Sequence, residues 1–148
     1  MTVLPVAIGD VTTFSKTVSE SDVYLFAGIS GDFAPNHVDE EYMAGTSFKR
    51  RIAHGALLVG FMSACSTKLS DMVRARGSIA IPLSLGYDRI RFLAPVYLGD
   101  TVRLTYTVAA LDVERDRSSA TIEVHNQHGT FVAAATHLMK WAAPGPHD

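Results

Sequence analysis

Cysteine and charged residues are both scarce in this chain, and each shortage excludes a class of protein. Cys65 is the single cysteine among 148 residues, so one chain can form neither a disulfide framework nor a cysteine-based zinc site. Charged residues make up 19% of the sequence and the net charge is −2, so neither nucleic acid nor an anionic membrane is an expected partner. Because a lone cysteine suits a reducing compartment, we expect a cytoplasmic protein.

The sequence also lacks a leader pattern and a long apolar run. Its first residues, MTVLPVAIGDV, contain neither a basic region nor a long apolar core, so no signal peptide is expected. The most apolar run, 56–65, is too short to cross a bilayer. The chain does have 47% hydrophobic residues and no second composition regime, which is typical of one folded domain with a buried subunit interface. We therefore expect a single domain over 1–148, with a flexible tail at about 142–148.

Capping residues and apolar spacing predict three helices in the first half of the chain, at 20–28, 40–43 and 55–74. Asp39 can cap the second, and Pro35 makes the stretch 31–38 before it irregular. The third carries apolar residues on every side of its first turns, so we expect other structure to enclose it.

After residue 77 the apolar period changes to two, which predicts antiparallel strands joined by short turns. In 101–108 the apolar residues alternate cleanly with polar ones, and the stretches 78–91, 120–125 and 130–141 continue the pattern. A further strand is predicted at 12–18. Since a single sheet must curl to cover a buried helix, the fold class is α+β, with a curved antiparallel sheet around one long central helix.

Asp32 and His37 are the first candidates for chemistry. They lie in a loop shaped by glycine and proline, where an acid and an imidazole near one pocket can share a water molecule. The alternative is a turn stabilised by the Asp32 side chain, with a surface histidine.

The pair His54-Gly55 opens the long helix and is the second candidate. The first N–H groups of a helix have no internal partner, so a buried Gly55 N–H can hold a developing negative oxygen. The alternative is simple capping of the helix by His54.

Three further groups of residues have both a chemical and an ordinary structural interpretation. The basic run Lys49, Arg50 and Arg51 could contact phosphates of a nucleotide-like tail, although such runs are more often solvated surface. A metal site from His37, Asp39 and His54 has no recognised spacing, so we expect no metal. His137 and Cys65 are interpreted as structural, and His125 and His128 flank a hairpin turn.

The segment SGDFAPNHVDEEYM, followed by FKRRIAHGALLVG, resembles the MaoC-like, (R)-specific enoyl-CoA hydratase family. The stretch RFLAPVYLGDTV is a second matching piece, and the resemblance covers about 11–141. It implies a hot-dog fold, a homodimer and an acyl-CoA substrate, without a metal or redox cofactor. One position departs from the pattern, because relatives usually carry Asn before the proline and this chain has Ala34.

The resemblance implies reversible hydration of a trans-2-enoyl-CoA to an (R)-3-hydroxyacyl-CoA. Asp32 and His37 would act on one water, and the Gly55 N–H would hold the enolate-like thioester oxygen. The substrate-binding residues expected beside them are Phe33, Lys49, Arg50, Arg51, His54 and Leu57. Two rival functions stay open at this point: an acyl-CoA thioesterase using a carboxylate and water, and a non-catalytic acyl-binding protein.

Overall fold

A five-stranded antiparallel sheet curves around one long helix in the computed structural model, which describes residues 3–145. The elements in chain order are β1 (Val11–Thr17), α1 (Glu20–Ser30), α2 (Pro35–Val38), α3 (Glu40–Ala44), α4 (Gly55–Ala75), β2 (Ile81–Phe92), β3 (Thr101–Asp112), β4 (Arg117–Asn126) and β5 (Phe131–Ala142). The strand order is β1-β3-β4-β5-β2, so β1 and β2 form the edges. This is the predicted fold class.

Strands β3 and β4 supply the centre of the inner sheet face. The alternation predicted from the sequence is confirmed, because the inward residues of both strands are buried: Val102, Leu104, Tyr106, Val108, Ala120, Ile122 and Val124. Leu4 and Val6 also join this core, although 3–10 form no regular element.

Helix α4 packs one face against the sheet. Its buried side includes Leu58, Met62 and Leu69, whereas Ala56 and Gly60 are exposed. The expectation that other structure encloses its first turns on every side was therefore wrong within one chain, because the sheet covers only one side of the helix. Its 21 residues are long and apolar enough to cross a bilayer by length and composition, but half of that stretch is buried inside this fold.

The segment between α1 and α4 is more ordered than predicted. Helix α1 continues to Ser30 and ends at Gly31, whose φ of 80° is the left-handed geometry that glycine adopts without strain. The prediction that 31–38 is irregular was wrong at its end, because α2 begins at Pro35. Proline is accepted in the first helical turn, where its missing N–H is not needed.

Edge strand β2 leads directly to the candidate site. It continues through Pro82, which an edge strand tolerates, and its register shifts between Ser84 and Gly86 and again between Asp88 and Arg91.

The last strand, β5, ends at Ala142. Of the predicted flexible tail, 143–145 has no regular structure, and Pro146, His147 and Asp148 lie outside the described residues.

Candidate active site

Three segments meet at the N-terminal end of α4: the loop after α1, the single turn of α2, and the residues that start α4. One carboxylate oxygen of Asp32 and one ring nitrogen each of His37 and His54 lie within 4.8 Å of one another. The structure therefore brings together the acid and the imidazole that the sequence singled out, with His54 between them and the helix end.

The hydrogen bonding of His37 leaves one ring nitrogen available. Its ring is buried, and Nδ1 lies 2.7 Å from the carbonyl oxygen of Ile52. A carbonyl oxygen only accepts hydrogen bonds, so Nδ1 carries the proton. In the neutral ring Nε2 then keeps its lone pair, which is the state a general base needs.

Asp32 is exposed, and its side chain and its backbone carbonyl accept hydrogen bonds from different residues. Its Oδ1 accepts a hydrogen bond from the Ala34 N–H at 3.2 Å, and its carbonyl oxygen accepts one from His54 Nε2 at 2.9 Å. The turn that the sequence offered as an alternative role is therefore present, and it leaves Oδ2 for other contacts.

Gly55 begins α4 against an aromatic ring. A Cβ placed on Gly55 would lie 2.6 Å from the ring of Phe92, so only glycine fits this close approach without displacing the ring. His54 is the residue before the helix, and its side chain makes no capping hydrogen bond, so the capping alternative was wrong.

A cleft of about 470 Å³ opens beside these residues. Its walls combine the site segments with the end of β2 and the chain that follows: Asn36, His37, Phe48, Ile52, Ala53, Gly55, Leu58, Phe92, Leu93, Ala94, Pro95 and Val96. The lining is mainly apolar with few polar groups, as in most small-molecule sites.

Two predicted lining residues lie elsewhere. Leu57 is buried in the hydrophobic core, whereas its neighbour Leu58 lines the cleft. Phe33 is 58% exposed on the loop beside Asp32. Sequence reasoning missed the contribution of 92–96, although the motif RFLAPVYLGDTV pointed to that stretch.

The basic run has one residue with a structural role, Arg51, and two exposed residues, Lys49 and Arg50. Arg51 bonds the carboxylates of Glu20 and Glu40, both at 2.6 Å, and these partners raise the pKa of its guanidinium. Arg51 is therefore committed to protein carboxylates, which argues against its predicted role in binding substrate. Arg50 packs over the Tyr97 ring at 4.1 Å, and Lys49 has a φ of 66°.

The potential metal ligands differ from the set considered in the sequence. Asp39 instead caps α3 by accepting a hydrogen bond from the Tyr42 N–H, and Asp32 takes its place beside His37 and His54. The hydrogen bonds of the two histidines leave one ring nitrogen on each, so the three residues could offer a cation three donors. Absence of a metal from the working site remains a prediction.

Two other groups are structural, as predicted. Cys65 is buried in the core, and burial raises the pKa of its thiol. His137 lies on β5, where its ring nitrogens bond the hydroxyls of Ser84 on β2 and Tyr106 on β3, each at 2.8 Å.

Known proteins that are similar to this chain include proteins named as (R)-specific enoyl-CoA hydratases. The MaoC like domain family model matches residues 5–137. An (R)-specific enoyl-CoA hydratase of Rhodospirillum rubrum is 47% identical over 107 residues, which are 72% of this chain and 69% of that relative. One from Aeromonas caviae is 31% identical over 133 residues, 90% and 93% of the two chains. The solved structure of the A. caviae (R)-hydratase involved in PHA biosynthesis has a TM-score of 0.80 at 29% identity, covering 92% of this chain and 97% of that one.

Proposed function

This chain belongs to the MaoC-like domain family, and we propose that its cleft adds water reversibly to a trans-2-enoyl-CoA, giving an (R)-3-hydroxyacyl-CoA. It is a hot-dog-fold hydro-lyase of the (R)-specific enoyl-CoA hydratase type, as are the R. rubrum and A. caviae relatives described above. The observation that supports this most is the Asp32 carboxylate beside the His37 ring at the mouth of an apolar cleft.

Asp32 and His37 act on a single water molecule. The lone pair on His37 Nε2 and the free carboxylate oxygen of Asp32 can both bond that water, so one group removes a proton while the other passes one on. The hydroxyl adds to C3 of the enoyl group and a proton reaches C2. Because both arrive from the side of the dyad, the addition is syn.

Gly55 stabilises the charge that forms on the substrate. Addition at C3 moves electron density toward the thioester oxygen, which becomes enolate-like. The N–H of Gly55 at the start of α4 is supported by the helix dipole, and it lies in a largely apolar cleft where such a donor is most effective. The ring of Phe92 against Gly55 helps to keep competing water from this position.

The substrate is an acyl-CoA, and neither a metal nor a redox cofactor is proposed. Hydration moves one water across a double bond with no net oxidation or reduction, so two protein groups and one N–H donor can account for every step. Lys49 and Arg50 follow Phe48 of the cleft wall, and we assign them to the phosphates of the coenzyme A tail.

The working assembly proposed here is a homodimer in the cytoplasm. Edge strand β2 pairs with β5 on one side, and three of its apolar side chains are about half exposed: Ile81, Leu83 and Leu85. A long apolar edge of this kind favours pairing with a second copy of the chain.

A screen of trans-2-enoyl-CoAs of different chain lengths tests this function. The expected result is loss of enoyl absorbance with formation of the (R)-3-hydroxyacyl-CoA, established by chiral analysis of the product. Release of free thiol from acyl-CoA without hydration would instead identify a thioesterase. Binding without turnover across the series would identify a non-catalytic acyl-CoA-binding protein.

A further inference from the structure

His54 touches both members of the proposed dyad. Its ring is 1% exposed and stacks on His37, with centroids 3.8 Å apart and ring planes at 27°. The ring of Phe26 also packs against His54, with ring centroids 4.8 Å apart and ring planes at 57°. At the same time Nε2 lies 2.9 Å from the Asp32 carbonyl oxygen. One side chain thus fixes the place of the imidazole and of the loop that carries the acid.

The partner of Nε2 determines the proton arrangement of His54. Because the Asp32 carbonyl only accepts hydrogen bonds, Nε2 carries the proton and Nδ1 keeps its lone pair. That Nδ1 is buried and has no hydrogen-bond partner among the described residues. A buried nitrogen without a partner costs stability, and a phenylalanine would fill the same space without that cost. What the imidazole adds is the donor to the Asp32 carbonyl.

The loop needs such an anchor. Asp32 itself is exposed, and its side chain holds only the nearby Ala34 N–H. The backbone bonds beside it run back to α1, because the Gly31 N–H donates to the Ala27 carbonyl at 2.8 Å and the Asp32 N–H donates to Ser30 Oγ at 3.2 Å. Among the described residues, the bond from His54 is the hydrogen bond that ties Asp32 to the start of α4, where the His54 ring stacks on His37.

We propose that His54 is a positioning residue, which sets the separation of Asp32 and His37 through its Nε2–H bond and its stacked ring. This rests on the hydratase function proposed above. His54 acts through the dyad. It was predicted from sequence as a substrate contact, but its side chain is 1% exposed, which argues against direct contact with the substrate. A displacement of about 1 Å in a reacting group can lower a rate by about 10²-fold, so loss of the anchor is expected to appear in kcat.

Two substitutions separate the donor from the ring. His54→Phe keeps an aromatic ring and removes the N–H, whereas His54→Gln keeps an N–H near the position of Nε2 and removes the ring. With crotonyl-CoA, we expect His54→Phe to lower kcat by about 10²-fold and to leave KM within about threefold. His54→Gln should recover about fivefold of that loss, the usual effect of one hydrogen bond.

Controls distinguish positioning from folding. His137→Gln alters another fully buried histidine, whose bonds are to Ser84 and Tyr106, and it should leave kcat within about twofold whatever it does to thermal stability. Thermal unfolding is measured for every variant. His54→Leu, which also lacks the donor, takes the place of His54→Phe if that chain does not fold.

A double-mutant cycle decides the proposal. In an Asp32→Asn background, His54→Phe should lower the residual kcat by less than about threefold, because the group it positions is already impaired. A normal kcat in His54→Phe, equal losses in His54→Phe and His54→Gln, or an undiminished effect in the Asp32→Asn background would each overturn it. An inactive wild-type chain would instead overturn the hydratase function and this proposal together.

Discussion

The ring of Phe92 packs against Gly55 so closely that a Cβ on Gly55 would lie 2.6 Å from it. This contact joins the end of the edge strand to the first residue of the central helix. It fixes one wall of the cleft beside the N–H group assigned to the thioester oxygen. Glycine is thus required at position 55 for this packing.

Gly55→Ala should therefore impair both activity and stability. The new methyl group must displace the Phe92 ring or the start of α4, and overpacking of this kind costs about 1–3 kcal/mol. We expect kcat for enoyl-CoA hydration to fall by about 10- to 100-fold as the N–H donor moves. Steady-state kinetics and chemical denaturation measure the two effects.

Gly60→Ala is the matched control on the same helix. Gly60 is exposed, and an added Cβ there meets nothing within 4 Å. This substitution should stabilise the fold by about 0.5–1 kcal/mol, the usual gain from replacing glycine inside a helix, without changing kcat. Equal behaviour of the two alanine variants would argue against a special role for Gly55.

Ala34→Asn tests the position where this chain departs from its relatives. The N–H of residue 34 bonds Asp32, and an asparagine side chain there could add one bond to the loop or to the water. We expect kcat to be equal or up to about fivefold higher, the effect of one hydrogen bond of about 1 kcal/mol. A large loss of activity would show that the pocket is organised differently.

Asn36 lies in the cleft wall beside His37. The substitution Asn36→Ala therefore tests whether the Asn36 amide already supplies the bond to the loop or to the water.

His137 should make the fold sensitive to acid. Burial lowers the pKa of its ring from 6.5 to about 4. Between these values the unfolded chain binds a proton that the folded chain does not, so stability is complete above about pH 6.5 and falls as the pH drops toward 4. The loss from pH 7.5 to pH 5 should be about 2 kcal/mol.

His137→Gln isolates this contribution because glutamine does not titrate and can still bond Ser84 or Tyr106. Urea denaturation at several pH values should give this variant a flatter dependence of unfolding free energy on pH than wild type has. Parallel curves for the two proteins would mean that burial of His137 is not the cause.

The proposed dimer predicts that β2 controls the assembly. Introducing charge at two exposed apolar positions of that strand, Leu83→Lys and Leu85→Lys together, should shift the sedimentation mass from two chains toward one, since charged edge strands resist pairing. Val113→Lys alters an exposed apolar residue in the turn between β3 and β4 and should leave the mass unchanged. A wild-type protein that sediments as one chain would contradict the dimer.

The parts of the fold that the sequence predicted well are those encoded by local patterns. The alternation in β3 and β4 and the start of α4 follow from residues that are neighbours in the chain. The same holds for the pairing of Asp32 with His37, since only four residues of constrained loop separate them. The one-turn helix α2 is a local element that the sequence did not predict. Proline disrupts most regular structure, but it is accepted in the first turn of a helix, and Pro35 occupies that position.

The parts that it did not predict depend on distant partners. Leu57 and Leu58 are equally apolar, and only the direction from which the sheet approaches decides that Leu58 lines the cleft. Arg51 forms ion pairs with Glu20 and Glu40, which are 31 and 11 residues away in the chain, instead of remaining free to bind substrate. Phe92 reaches Gly55 only because β2 runs along the sheet edge toward the start of α4.

Hydration of crotonyl-CoA by wild type, Asp32→Asn and His37→Ala tests the central claim most directly, with His125→Ala as a histidine control at the β4–β5 hairpin. We expect both dyad variants to lose at least about 10²-fold in kcat, the lower scale for a positioned acid or base, while the control stays near wild type. Near-normal hydration by both dyad variants would contradict the assignment of Asp32 and His37 to the catalytic water.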